Sequence, residues 1–80
     1  MKTNDIKKGM RFQQANGWFG TILDNKKGNT RMAEVEGYAT ELGSVYSHDI
    51  MKVLVNGTWE NVEHTPEQLQ LKKTVLALGF

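Results

Sequence analysis

Two Asn-Gly dipeptides, Asn16-Gly17 and Asn56-Gly57, constrain this chain more than any other feature. A two-residue type I′ turn needs positive φ at both central residues, and Asn followed by Gly meets that need at small steric cost. Each pair sits between short runs of alternating character, MRFQQA and WFGTIL around the first, MKVLV and TWENV around the second. Both therefore read as β-hairpins. Register is then decisive, because a slip of one residue turns every side chain of a strand to the other face.

With a two-residue loop at the first bend, Ala15 faces Trp18, Phe12 pairs with Thr21, and Met10 with Leu23. Side chains alternate with period two. Met10, Phe12, Phe19 and Leu23 then share the core face, while Trp18 and Ile22 point the other way. The same rule at the second bend sets Val55 against Thr58, Leu54 against Trp59 and Met51 against Val62. Met51, Val53, Val55 and Val62 form one face there, and Leu54 meets Trp59 on the other. Between these lies a hairpin from about Thr21 to Val35 with DNKKGNT at its tip, whose Asp24, Asn25, Gly28 and Asn29 favour tight backbone. Ala33 and Val35 alternate with Glu34 and Glu36 as in a half-buried strand, and another short strand is expected near Val45 and Tyr46.

The end of the chain changes period. Thr65 is a good N-cap, Pro66 suits the first helical position, and Gln68 completes a capping box. A helix is expected over about residues 66–78, its wide stripe of Leu69, Leu71, Val75, Leu76 and Leu78 covering the Leu54/Trp59 face. Eight glycines against one proline punctuate the chain into short strands. Five such strands in eighty residues avoid exposed edges best by curling. The expected fold is therefore mainly β, a small SH3-like five-stranded barrel with a C-terminal helix, one domain over residues 1–80.

The run KKGMRFQ…NGWFGTILDN…AEVEG is similar to the opening of SH3-like barrels of the KOW type, with Gly9, Gly20, Ile22 and Val35 in matching order. That resemblance covers about residues 7–37 and departs from the pattern in the long basic tip and the added helix. It implies a small binding module, with nucleic acid as one class of ligand. The wording from Asn16 to Ile50 also resembles small uncharacterised proteins carried by bacteriophages and prophages, which implies a bacterial host and no particular activity.

Composition excludes more than it selects. No cysteine is present, so disulfide frameworks, cysteine zinc sites and thiol chemistry are ruled out, in keeping with a reducing cytoplasm. Ten bases balance nine acids, leaving a net charge of +1, so nucleic-acid binding would rest on a local patch. The polar opening MKTNDIKKGM lacks the apolar run of a signal peptide, and nowhere do enough apolar residues follow one another to cross a membrane. His48-Asp49 and His64 match no ligand spacing or nucleophile motif, so neither catalysis, a metal nor a cofactor is expected. His48-Asp49 ends a strand, and His64 precedes the helix cap.

Two candidate sites remain. Lys26, Lys27 and Arg31 form a basic hairpin tip able to contact phosphates, with Trp18, Tyr38 or Tyr46 as stacking platforms. Alternatively, Trp18 and Ile22, with Tyr38 and Tyr46, make a patch for a protein partner. The favoured reading is a non-enzymatic binding module of phage origin engaging a bacterial or phage protein. The alternative is a weak nucleic-acid-binding KOW-like domain using the tip over residues 25–31. A homodimer formed at a sheet edge is a third.

Overall fold

The computed structural model describes residues Met1–Gly79. After a 3-10 turn at Thr3–Asp5 come β1 (Arg11–Gln14), β2 (Phe19–Ile22), β3 (Thr30–Glu36) and β4 (Thr40–Tyr46). A second 3-10 turn at Ser47–Asp49 leads into β5 (Ile50–Val55), β6 (Thr58–Asn61) and the helix α1 (Pro66–Ala77). The strands make one antiparallel sheet in the order β4-β3-β2-β1-β5-β6.

The expected closed barrel of five strands is corrected to an open sheet of six. That sheet is nevertheless rolled. A flat one would hold β4 and β5 roughly 19 Å apart, at about 4.8 Å per strand. The three residues Ser47–Asp49 that join them rise only about 2 Å each in 3-10 geometry. So short a connector requires β4 and β5 to approach by curling, and the β1–β5 pairing continues past Gln14 and Ile50, where the Ala15 N–H donates to the Asp49 carbonyl at 2.9 Å. Ile6, Phe12, Ile22, Ala33, Val45, Ile50, Val53 and Val62 fill the core within the roll.

At the first bend the register differs from expectation by one residue. Arg11 pairs with Thr21, Phe12 with Gly20 and Gln13 with Phe19. The loop has three residues: Gln14 N–H bonds the Trp18 carbonyl at 2.8 Å, and Gly17 N–H bonds the Gln14 carbonyl at 2.9 Å. Only Gly17 adopts positive φ there, at 91°. The slip turns Ile22 into the core and Phe19 out to a half-exposed position, reversing the expected faces of both. Gly20 makes the register possible, since a Cβ there would lie 2.5 Å from Cζ of Phe12 and 2.7 Å from the Glu34 carbonyl oxygen.

The second bend follows expectation, with Val55 opposite Thr58 and Leu54 opposite Trp59. At its other edge, β5 slips by one residue against β1: Gln13 pairs with Lys52 but Gln14 with Ile50. Met51 is the extra residue, a bulge that turns it outward and brings Ile50 onto the core face beside Val53. Met51 was expected in the core, and Ile50 takes its place.

The helix begins as expected, with the Thr65 hydroxyl accepting from Gln68 N–H at 3.1 Å and the Gln68 side chain accepting from Thr65 N–H at 2.9 Å. Its docking differs. It packs on the Ser47–Asp49 turn rather than on Leu54 and Trp59, and buries Gln68, whose amide donates to the Thr3 hydroxyl at 2.8 Å. His64 explains the change of course, because its Nε2–H donates to the Ile50 carbonyl at 2.9 Å and steers the chain toward the start of β5. Leu69, Leu76 and Leu78 stay exposed.

Candidate functional site

The two sequence-derived sites fare differently. At the basic tip, Asp24 organises the loop: its Oδ2 accepts from Met32 N–H at 2.9 Å and its Oδ1 from Lys26 N–H at 3.3 Å. Asn25 Oδ1 accepts from Lys8 N–H at 2.8 Å. Lys26 and Lys27 project into solvent.

Arg31 does not join them. It is only 1% exposed, the bulkiest of the fully buried side chains. Its guanidinium donates to the carbonyls of Gly28, Thr30 and, at 2.9 Å, Thr3. The Ser47 hydroxyl donates to the same Gly28 carbonyl at 2.6 Å. Burial lowers the Arg31 pKa, against a weaker opposing pull from Asp24. An arginine is nonetheless charged at every pH a folded protein meets, and its charge is spread over these carbonyls. Arg31 therefore ties the tip to the Thr3–Asp5 turn, and the three bases are not presented together.

The aromatic candidates do converge. Val35 and Glu41, cross-strand partners on β3 and β4, share a face of the sheet. Trp18 leans over their end and rests on Gly37, whose missing side chain leaves room for the indole. Tyr38 meets Trp18 edge-on at 5.5 Å between ring centroids. Two adjoining hollows of about 210 and 310 Å³ share Trp18, Val35 and Glu41. Tyr38 and Ala39 line the smaller, and Gln14, Asn16 and Gly43 contribute to the larger. Trp18 remains 39% exposed and Tyr38 fully so. The Glu41 carboxylate is exposed and has no ion-pair partner among the described residues.

Ile22, expected beside Trp18, is instead sealed in the core, as the one-residue slip requires. Tyr46 lies elsewhere, stacked on the buried His48 ring at 4.8 Å. His48 Nδ1 is 3.3 Å from the Asp49 carboxylate. His48 is 2% exposed, and the pair belongs to the turn that ends β4.

The other face of the sheet carries a second aromatic contact, Phe19 against Trp59 at 5.6 Å, reaching over β1 and β5. Arg11 and Glu36 form an ion pair on that face. The bond to Arg11 holds the Glu36 carboxyl below its ordinary range and raises the Arg11 guanidinium in return. Among the described residues no three His, Asp or Glu side chains are grouped to hold a metal ion, and no helix is long and apolar enough to cross a membrane.

Sequence reasoning missed Gly37 as the seat of Trp18, and Val35, Ala39 and Glu41 as groove residues. Gly37 directly preceding Tyr38 was the available signal. No protein-family model, curated protein or solved structure matches this chain.

Proposed function

We propose that the protein is a small non-enzymatic binding module, an SH3-like roll left open along β4, that grips an extended segment of a protein partner in the Trp18–Tyr38 groove. The observation that carries this reading is the half-exposed Trp18 seated on Gly37 beside an unpaired Glu41 carboxylate. An indole face and a carboxylate within one hollow suit a lysine or arginine side chain, held by cation–π attraction and charge. Val35 and Ala39 suit an adjacent apolar residue. The preferred ligand is thus an apolar–basic peptide segment, and the likeness to phage-borne proteins suggests a bacterial or phage protein as its source. The nucleic-acid alternative draws less support, because Arg31 faces inward and leaves Lys26 and Lys27 as the cations of the tip.

Selection from a random peptide library tests the proposal. Enriched peptides should carry Lys or Arg next to an apolar residue and should lose binding to Tyr38→Ala and Glu41→Gln. Both positions are exposed, so folding is spared. Binding unaffected by those changes but abolished by Lys26→Glu with Lys27→Glu would overturn the groove as the site.

A further inference from the structure

The two edges of the open sheet are treated differently. At one, β6 has four residues, and the chain beside it is occupied by the N-terminal segment. Glu63 N–H bonds the Met1 carbonyl at 2.7 Å, the Met1 amine donates to the Asn61 carbonyl at 3.3 Å, and Lys2 bridges to Glu63. At the other, β4 runs for seven residues, TELGSVY, with β3 as its one partner in the sheet. It carries neither lysine nor proline, and Glu41 is its one charged residue.

The pairing pattern shows which backbone groups of β4 are free. Ser47 N–H bonds the Asn29 carbonyl and Gly37 N–H bonds the Ala39 carbonyl. In an antiparallel ladder the bonded residues alternate. With Val45 opposite Arg31, Gly43 opposite Ala33 and Glu41 opposite Val35, the odd-numbered residues of β4 bond inward to β3. Thr40, Leu42 and Ser44 therefore aim their N–H and C=O groups outward along the edge, as does the Tyr46 N–H, while the Tyr46 carbonyl opens the Ser47–Asp49 turn.

That edge is complementary to itself. We propose that β4 pairs antiparallel with β4 of a second copy about a twofold axis at Gly43, joining two sheets into one. This register uses the whole strand. The Thr40 carbonyl accepts from Tyr46 N–H of the second copy and Leu42 exchanges both bonds with its Ser44, giving about six backbone hydrogen bonds from groups otherwise left to water. Glu41 faces Val45 of the second copy, so no carboxylates oppose each other. Gly43 faces its own copy in a close non-bonded pair, where Cα atoms come to about 4.5 Å. Leu42, 71% exposed in the single chain, becomes the diagonal neighbour of its symmetry mate. Glycine at the axis and mismatched charges one step away are what an isologous strand pair needs.

The absence of cysteine makes the test direct. Gly43→Cys places its side chain in open space, and the expected Cα separation suits a disulfide. Under mild oxidation it should yield a covalent dimer at least about tenfold faster than Thr40→Cys, whose copies lie at opposite ends of the paired strands, roughly 20 Å apart. Sedimentation over about a hundredfold concentration range should show monomer and dimer exchanging in the parent chain. Leu42→Lys should remain monomeric with an unchanged circular dichroism spectrum. A parent chain that stays monomeric throughout, or Gly43→Cys and Thr40→Cys crosslinking at equal rates, would overturn the proposal and leave the edge to a foreign strand. The groove reading is tested by other residues and stands or falls separately.

Discussion

The β1–β2 and β5–β6 hairpins carry the same dipeptide and bend in different ways. At Asn56-Gly57 both central residues take positive φ, 49° and 81°, and two residues complete the turn. At Asn16-Gly17 the glycine alone is left-handed, Ala15 joins the loop, and the Asn16 side chain accepts from Trp18 N–H at 3.0 Å. The difference lies in what else each hairpin touches. Ala15 N–H donates to Asp49 beside the start of β5, on the side of β1 away from β2, which keeps it out of the β1–β2 ladder. The slipped register also seats the Phe12 ring against Gly20 and buries Ile22, a side chain whose full burial contributes roughly 1.5–3 kcal/mol. Among the described residues no comparable long-range bond acts on the second bend, and local preference wins there.

The sharpest way to break this contrast is Gly20→Val. Its side chain would meet the Phe12 ring and a ladder carbonyl that cannot retreat, so a loss of about 3 kcal/mol or more is expected by urea unfolding. Deleting Ala15 comes next. The remaining Asn16-Gly17 would then form a two-residue turn with Gln14 still opposite Trp18, preserving register. The lost bond to Asp49 should cost about 1 kcal/mol, and cross-strand NMR contacts between Phe12 and Gly20 should persist. A third test compares the two asparagines. Asn56→Ala forces alanine into left-handed backbone and should cost about 1 kcal/mol. Asn16→Ala loses one exposed hydrogen bond, worth about 0.5 kcal/mol. Equal losses would mean that the two turns do not differ as described.

The smallest effect concerns the ion pair that crosses β2 from Arg11 on β1 to Glu36 on β3. The Glu36 carboxyl is lowered from 4.5 by its bond to Arg11, so its contribution is present above that value. It fades as pH falls through the lower folded value. Glu36→Gln should remove that acid-side slope and lower stability at neutral pH by the same small amount, because exposed pairs are screened by water. A pH series of thermal unfolding curves for the two chains would show it.

Much of the candidate groove was legible before the fold was known, and the illegible part has a common cause. Trp18 and Tyr38 stood out as aromatics beside turn glycines, and both line the hollow. Ile22 and Arg31 were read from local spacing as outward-facing. Ile22 is buried because the register moved by one residue, and Arg31 because three backbone carbonyls, one of them in the Thr3–Asp5 turn, needed donors. The bulge at Met51 likewise leaves no mark in the alternation of MKVLV.

What the sequence by itself determined are the features whose energetics are local: the Asn56-Gly57 turn, the Thr65–Gln68 cap, the helix behind it and the alternation that makes strands. Each depends on backbone preferences within a few neighbouring residues. What the tertiary structure alone decided are the register of the first hairpin, the inward turn of Arg31, the course of the helix and the open roll of the sheet. Those rest on bonds between distant segments, Ala15 to Asp49, Arg31 to Thr3 and His64 to Ile50, whose partners meet once the chain is folded. Where two local arrangements are close in energy, one such bond is enough to select between them.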